Sequence, residues 1–250
     1  MRVLVVEDQG MAANIAVREL EKTDSCKVDV ARDPLEAIAR LSRDEYDVAV
    51  VDMLFREHAH DFEQRRRRGR VHLSDARLLL SGLAVLHAIK SRDFRTRPVL
   101  WTSGEPNRRL HLTFASEELR CRALCSKESV TDLHRAVQAA ARGVAYIDPL
   151  LHLHLSSPLS RPLRETLLGS STKLNVWRAM ALGLHQHKDI AKVVGIESST
   201  VRNGMEDMRN KLLELDPTSS IEGSPSSELI RYASQNWEFF LDDTVRVMFP

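Results

Sequence analysis

Val48-Ala49-Val50-Val51-Asp52 decides how the first half of this chain folds. Four apolar residues in a row, three of them β-branched, read as a strand covered on both faces. A carboxylate stands at its carboxyl end. The same pattern returns on either side of it: Val3-Leu4-Val5-Val6 runs into Glu7-Asp8, Pro98-Val99-Leu100-Trp101 into Thr102-Ser103, and Ala123-Leu124-Cys125-Ser126 into Lys127. With a fifth run near 27–31, strands are expected near 2–6, 27–31, 47–51, 98–101 and 122–126. Helix-like stretches lie near 10–22, 34–42, 82–92, 106–119 and 129–142. Alternation of this kind predicts an α/β unit with a five-stranded, doubly wound parallel sheet, and residues just past the carboxyl ends of such strands share one crevice.

That crevice would hold Glu7, Asp8 and Asp52, the hydroxyl of Thr102 and the ammonium of Lys127. Each has a bland reading alone, since acidic pairs are common at solvated loop starts; in combination they describe a phosphoryl-transfer site. Three carboxylates offer the hard oxygen ligands that Mg²⁺ prefers. Asp52 is then the nucleophile that becomes an acyl phosphate, while Thr102 and Lys127 meet the oxygens of the transferred group.

In this order the residues resemble the receiver domain of two-component response regulators over roughly residues 1–148. The resemblance makes Glu7-Asp8 the acidic pair, Asp52 the phosphoacceptor, Thr102 the switch hydroxyl and Lys127 the invariant-type lysine of that pattern. Gly82-Leu83-Ala84-Val85-Leu86 looks like the start of the third receiver helix. Two departures stand out. Leu124 occupies the place where the family carries its aromatic switch residue. The connection from Asp52 to Gly82 is also far longer than a receiver's, holding the basic run Arg65-Arg66-Arg67-Arg68-Gly69-Arg70 in an insertion over about 55–81. A solvated basic loop is the favoured reading of that insertion. A lid or counter-charge at the acidic crevice, or an extra contact to DNA phosphate, is the sharper alternative.

Residues 149–171, broken by Pro149, Pro158 and Pro162, read as a linker. Beyond it the pattern is helical over 172–250. Ile190, Ala191, Val194, Ile196, Val201, Met205, Met208 and Leu212 fall at the spacing of two packed helices, with Gly195 at the turn between them. This segment resembles the LuxR-type helix-turn-helix of NarL/FixJ regulators, a four-helix domain over roughly 170–242. The resemblance implies a recognition helix at 199–213 lying in the major groove. Arg202 and Asn203 are the candidates for base edges, and Lys188, Thr200 and Arg209 for phosphates. Glu206 and Asp207 depart from the pattern, because carboxylates near phosphates cost affinity. A last helix at 227–241 reads equally as dimerisation face or as core.

The 250 residues suffice for two domains, and 43% of them are hydrophobic, which argues against disorder. A net charge of +1 gives no global basic field, so nucleic-acid binding has to come from a local patch. No apolar run approaches a membrane span, and Met1-Arg2-Val3-Leu4 enters a strand with no signal-peptide pattern. Cys26, Cys121 and Cys125 read as reduced thiols, so a cytoplasmic location is expected. Three His-x-His pairs, beginning at His58, His152 and His185, lack the further ligands of a zinc site. The expectation is a cytosolic transcription factor rather than an enzyme. Mg²⁺ and a partner histidine kinase would act on the first domain, and a homodimer would bind promoter DNA through the second. Two rivals stay open: control without phosphorylation, and an output domain that binds another protein.

Overall fold

The computed structural model describes residues 1–22, 26–155, 162–215 and 224–249. The Ser156-Ser157-Pro158 part of the expected linker, residues 216–223 and Pro250 lie outside them. The chain divides into two compact units: Met1–Ala59 with Leu80–Leu155, and His60–Leu79 with Ser156–Pro250.

Unit 1 is built on a parallel sheet of β1 (Arg2–Val6), β2 (Lys27–Ala31), β3 (Val48–Asp52), β4 (Arg97–Thr102), β5 (Ala123–Ser126) and β6 (Tyr146–Ile147), in the order β2-β1-β3-β4-β5-β6. Six strands stand where five are expected. The sixth is two residues long, with Tyr146 opposite Ala123 and Ile147 opposite Leu124, too short to show a period in the sequence. Every residue of β3 is buried, as its unbroken apolar run requires. Around the sheet run α1 (Gly10–Glu21), α2 (Pro34–Leu41), α4 (Gly82–Ser91), α5 (Arg109–Glu117) and α6 (Leu133–Ala141). Helix α3 (Arg56–Arg67) starts in unit 1 and runs on into the residues of unit 2. Asp33 caps α2 by accepting from the amides of Leu35 and Glu36, with Pro34 in the first turn. Val3, Val5, Val50, Val99 and Trp101 face one side and pack with Ala16 and Leu20 of α1 and with Leu133, Ala136 and Val137 of α6. Their neighbours Leu4, Val51 and Leu100 point to the other face, by the two-residue period of a strand, and are equally buried.

Unit 2 holds α7 (Ser171–Ala181), α8 (His187–Val194), α9 (Ser198–Leu215), α10 (Pro225–Gln235), α11 (Trp237–Phe240) and α12 (Asp243–Met248). Gly195 takes φ +77° at the end of α8 and turns the chain toward α9, as the helix-pair spacing predicts. The expected single helix at 227–241 is broken at Asn236 into α10 and α11; the Asn236 side chain donates to the carbonyl of Tyr232. Its apolar face is core: Leu229, Ala233, Phe240 and Leu241 are fully buried, and Phe240 stacks on Trp177 at 4.9 Å.

The insertion overturns the expectation of a solvated loop. Its first part is helical, and residues 60–79 belong to unit 2. Phe62, the buried residue of α3, stacks on Trp237 with ring centroids 5.7 Å apart. The Arg66 guanidinium also lies over Trp237, 4.9 Å from the ring centroid, and donates to the carbonyl of Ala181. Farther along, Leu79 exchanges backbone hydrogen bonds with Leu241 and Asp243, and Arg246 of α12 donates to the carbonyls of Asp75 and Ala76. The C-terminal tail therefore docks on the end of the insertion.

Candidate functional site

Glu7 and Asp8 follow β1, Asp52 ends β3, and the sheet order reverses between these two strands. Open parallel sheets form their crevice at such a point. Oxygens of the three carboxylates lie within 4.8 Å of one another. Lys127 enters from the end of β5 and binds both Glu7 Oε2 at 2.6 Å and Asp52 Oδ1 at 2.8 Å. The amide of Met53 also donates to Asp52 Oδ1. Oδ2 of Asp52 takes no donor among the described residues, while Oδ1 takes two. Burial pushes the Asp52 carboxyl up to about 7, against the pull of Lys127 and with the charge of Glu7 adding to the rise. Burial also raises Glu7, against the same ammonium.

Thr102, buried at the end of β4, donates its hydroxyl to the carbonyl of Ser103. Its own carbonyl accepts from the amide of Lys127, so the two residues are backbone neighbours at the ends of β4 and β5. The structure thus brings together Glu7, Asp8, Asp52 and Lys127, with Thr102 at the next strand end.

The carboxylates suit a divalent cation. Three acids against one ammonium leave a negative excess in a mostly buried place, and Asp8 Oδ1 is buried with no hydrogen-bond partner. Glu7, Asp8 and Asp52 would hold Mg²⁺ there; among the described residues no other group of His, Cys, Asp and Glu side chains is placed to do so.

Several further residues that matter to this site lie outside the strand-end pattern. Asp148 is fully buried and accepts from the amides of Ser126 and Leu150, which secures the end of β5 beside Lys127. The ring of Trp101 lies 5.3 Å beneath the Lys127 ammonium. Glu57, in the first turn of α3, donates its amide to Asp8 Oδ2 at 3.2 Å. Gly82 donates to the carbonyl of Met53, and a Cβ placed on it would lie 2.0 Å from the carbonyl oxygen of Asp52. Only glycine permits this approach. Gly82→Ala should therefore destabilise unit 1 by about 1–3 kcal/mol, the usual cost of forced overpacking. Urea unfolding followed by circular dichroism measures it, and an unchanged midpoint contradicts the close approach.

In unit 2, Lys188, Thr200, Arg202 and Asn203 are exposed and take no side-chain partner among the described residues. Thr200, Arg202 and Asn203 lie opposite Val201, Met205, Met208 and Leu212, the buried stripe of α9. Arg209 is placed differently: it pairs at 3.1 Å with Glu228, a buried carboxylate of α10. Asp207 is neutralised within the unit by Lys173 and Lys211, whereas Glu206 is exposed with no ion-pair partner among the described residues. The amide of Val201 bonds to the carbonyl of Glu197, and the Ser199 hydroxyl donates to the Glu197 carboxylate.

A doubly wound parallel sheet with acids at its β1/β3 crevice, followed by a helical unit containing a helix-turn-helix, is the fold of receiver-plus-helix-turn-helix response regulators. Among solved structures, the chain is similar to the RcsB response regulator of Salmonella typhimurium, at 17% identity over 94% of this chain and 99% of that one, with a TM-score of 0.56. RcsB from Salmonella enterica serovar Typhimurium, bound to a promoter in the presence of the phosphomimetic BeF3⁻, gives 0.57 at 17% identity over 94% and 98% of the two chains. An RcsB–DNA complex gives 0.56 at the same identity and coverage. No protein-family model and no curated protein sequence matches the chain. No helix among the described residues is long and apolar enough to cross a membrane.

Proposed function

We propose that this chain is a DNA-binding response regulator, phosphorylated on Asp52 by a partner histidine kinase. The observation that carries the reading is the environment of Asp52: a buried carboxylate with one oxygen held by Lys127 and Met53 and the other free. In the transfer, Asp52 Oδ2 forms a bond to the phosphorus of a phosphohistidine as the phosphorus–nitrogen bond breaks, and the imidazole leaves with the electron pair. Lys127 neutralises charge on the transferred group, and the Thr102 hydroxyl turns from Ser103 to donate to one of its oxygens. Mg²⁺, held by Glu7, Asp8 and Asp52, would draw off charge from the phosphoryl oxygens. Phosphorylation would shift the receiver between states, and the active form would bind a two-fold DNA site as a homodimer.

Unit 2 supplies the readout. Arg202 and Asn203 would meet base edges from α9, with Lys188 and Thr200 on phosphates. The Glu228 partner of Arg209 makes that residue's proposed phosphate contact the weakest of the set. Selection from random duplexes, with and without an acyl-phosphate donor, tests output and switching together. On the selected duplex, Arg202→Ala should cost about 1–3 kcal/mol and relax preference at one base position. Lys188→Ala should weaken all duplexes alike and flatten the salt dependence. If both variants bind as the wild type does, α9 does not lie in a groove, and the output domain is an interaction module.

A second reading keeps DNA binding and drops phosphate control. Leu124 favours it: wholly buried in β5, this aliphatic side chain cannot signal by the inward turn of a surface aromatic. A site selected equally with and without the donor would support this reading.

A further inference from the structure

We propose that the insertion is a second DNA-backbone contact of unit 2, with Arg65, Arg68 and Arg70 binding phosphates beside the helix-turn-helix. The inference rests on the DNA-binding reading above and adds to it a surface outside the helix-turn-helix.

The charge distribution is the first argument. Residues 156–250 carry eleven Lys and Arg against twelve Asp and Glu, a net −1. A domain of that charge is poorly equipped to hold a polyanion, because phosphate neutralisation supplies most of the non-specific affinity for DNA. Residues 60–79 carry six arginines against three carboxylates, a net +3, and they fold into this same unit. The insertion turns unit 2 from −1 to +2.

The second argument is which arginines are engaged. Arg66 is the anchor, stacked on Trp237 and bonded to Ala181, and Arg67 pairs with Glu63. Arg65, Arg68 and Arg70 are exposed and have no carboxylate partner among the described residues. Solvated charges of this kind release condensed counterions when they meet phosphates.

The third argument is position. Ala181, which accepts from Arg66, is the last residue of α7. From there residues 182–186 lead directly into α8, whose first turn carries His187 and the exposed Lys188. The arginine run is thus fastened where the chain enters the helix that carries the proposed phosphate contact of Lys188. The stack of Phe62 on Trp237 and the docking of Arg246 on Asp75 and Ala76 hold the segment at both ends, so little ordering entropy is lost on binding.

The test uses the full chain and fluorescently labelled duplex DNA, with anisotropy measured across a salt series. Replacing Arg65, Arg68 and Arg70 together by Gln should weaken binding to selected and mixed-sequence duplexes alike, by about tenfold or more at low salt. The salt slope should fall by about 0.9 for each phosphate no longer neutralised, with the base preference unchanged. The same three-charge change at Arg97, Arg120 and Arg122 of unit 1 should leave the slope as in the wild type. Circular dichroism and tryptophan emission check that the fold is kept. Wild-type binding matched by the Arg65/Arg68/Arg70 variant overturns this inference alone, as does an equal loss from the unit 1 variant or a changed Mg²⁺ affinity with DNA binding intact. A wild type that binds no duplex overturns this inference together with the DNA-binding reading.

Discussion

Asp52→Asn, incubated with a small acyl phosphate and Mg²⁺, should gain no phosphoryl adduct under conditions in which the wild type gains one. The expected effect is a complete loss, because the amide offers no free carboxylate oxygen to attack phosphorus. The scaffold should survive, since the amide oxygen of the variant can still accept from Lys127 and Met53, the two donors that Asp52 Oδ1 uses. Intact-protein mass spectrometry decides the matter. An adduct on the variant would place the acceptor elsewhere. An unmodified wild type would show that the pocket fails to catalyse transfer despite its carboxylates.

Trp237→Ala should produce the largest loss of stability, about 3–5 kcal/mol, as for other large buried aromatics. Trp237 is 8% exposed, and both Phe62 and Arg66 rest on its rings. Removing it takes away the surface on which the inserted helix is seated. Residues 65–70 should then become a fast trypsin target while the acidic crevice keeps its capacity for phosphorylation. Chemical denaturation gives the magnitude, and limited proteolysis gives the location. Equal cleavage rates in variant and wild type would mean that Trp237 does not hold the insertion.

The sheet and its site were legible because strand-end chemistry is local in sequence. Each apolar run names its strand, and the next residue names the group it presents, so Glu7, Asp8, Asp52, Thr102 and Lys127 could be read one strand at a time. The sixth strand was illegible for the opposite reason: Tyr146–Ile147 is defined by pairing with β5 rather than by any pattern of its own. Helix α3 was hidden by its polarity. With Phe62 as its one buried residue it has no apolar stripe, and the run of arginines reads as a solvated loop. Its composition held the missed signal, because Glu, Gln and Arg are good helix formers, no Gly or Pro interrupts it, and Glu63 pairs with Arg67 one turn on. The roles of Arg209 and Asp207 depended on Glu228 and Lys173, partners brought close only by tertiary packing.

A two-domain chain joined by a single linker can be cut there to yield two independent pieces. This chain passes between its units at three places, at 59/60, 79/80 and 155/156. A fragment starting at 156 would lack Phe62, Arg66 and Leu79, exposing one side of Trp237 and leaving the backbone groups of Leu241 and Asp243 unmet. The C-terminal unit therefore cannot be separated at 156 without losing part of its own structure.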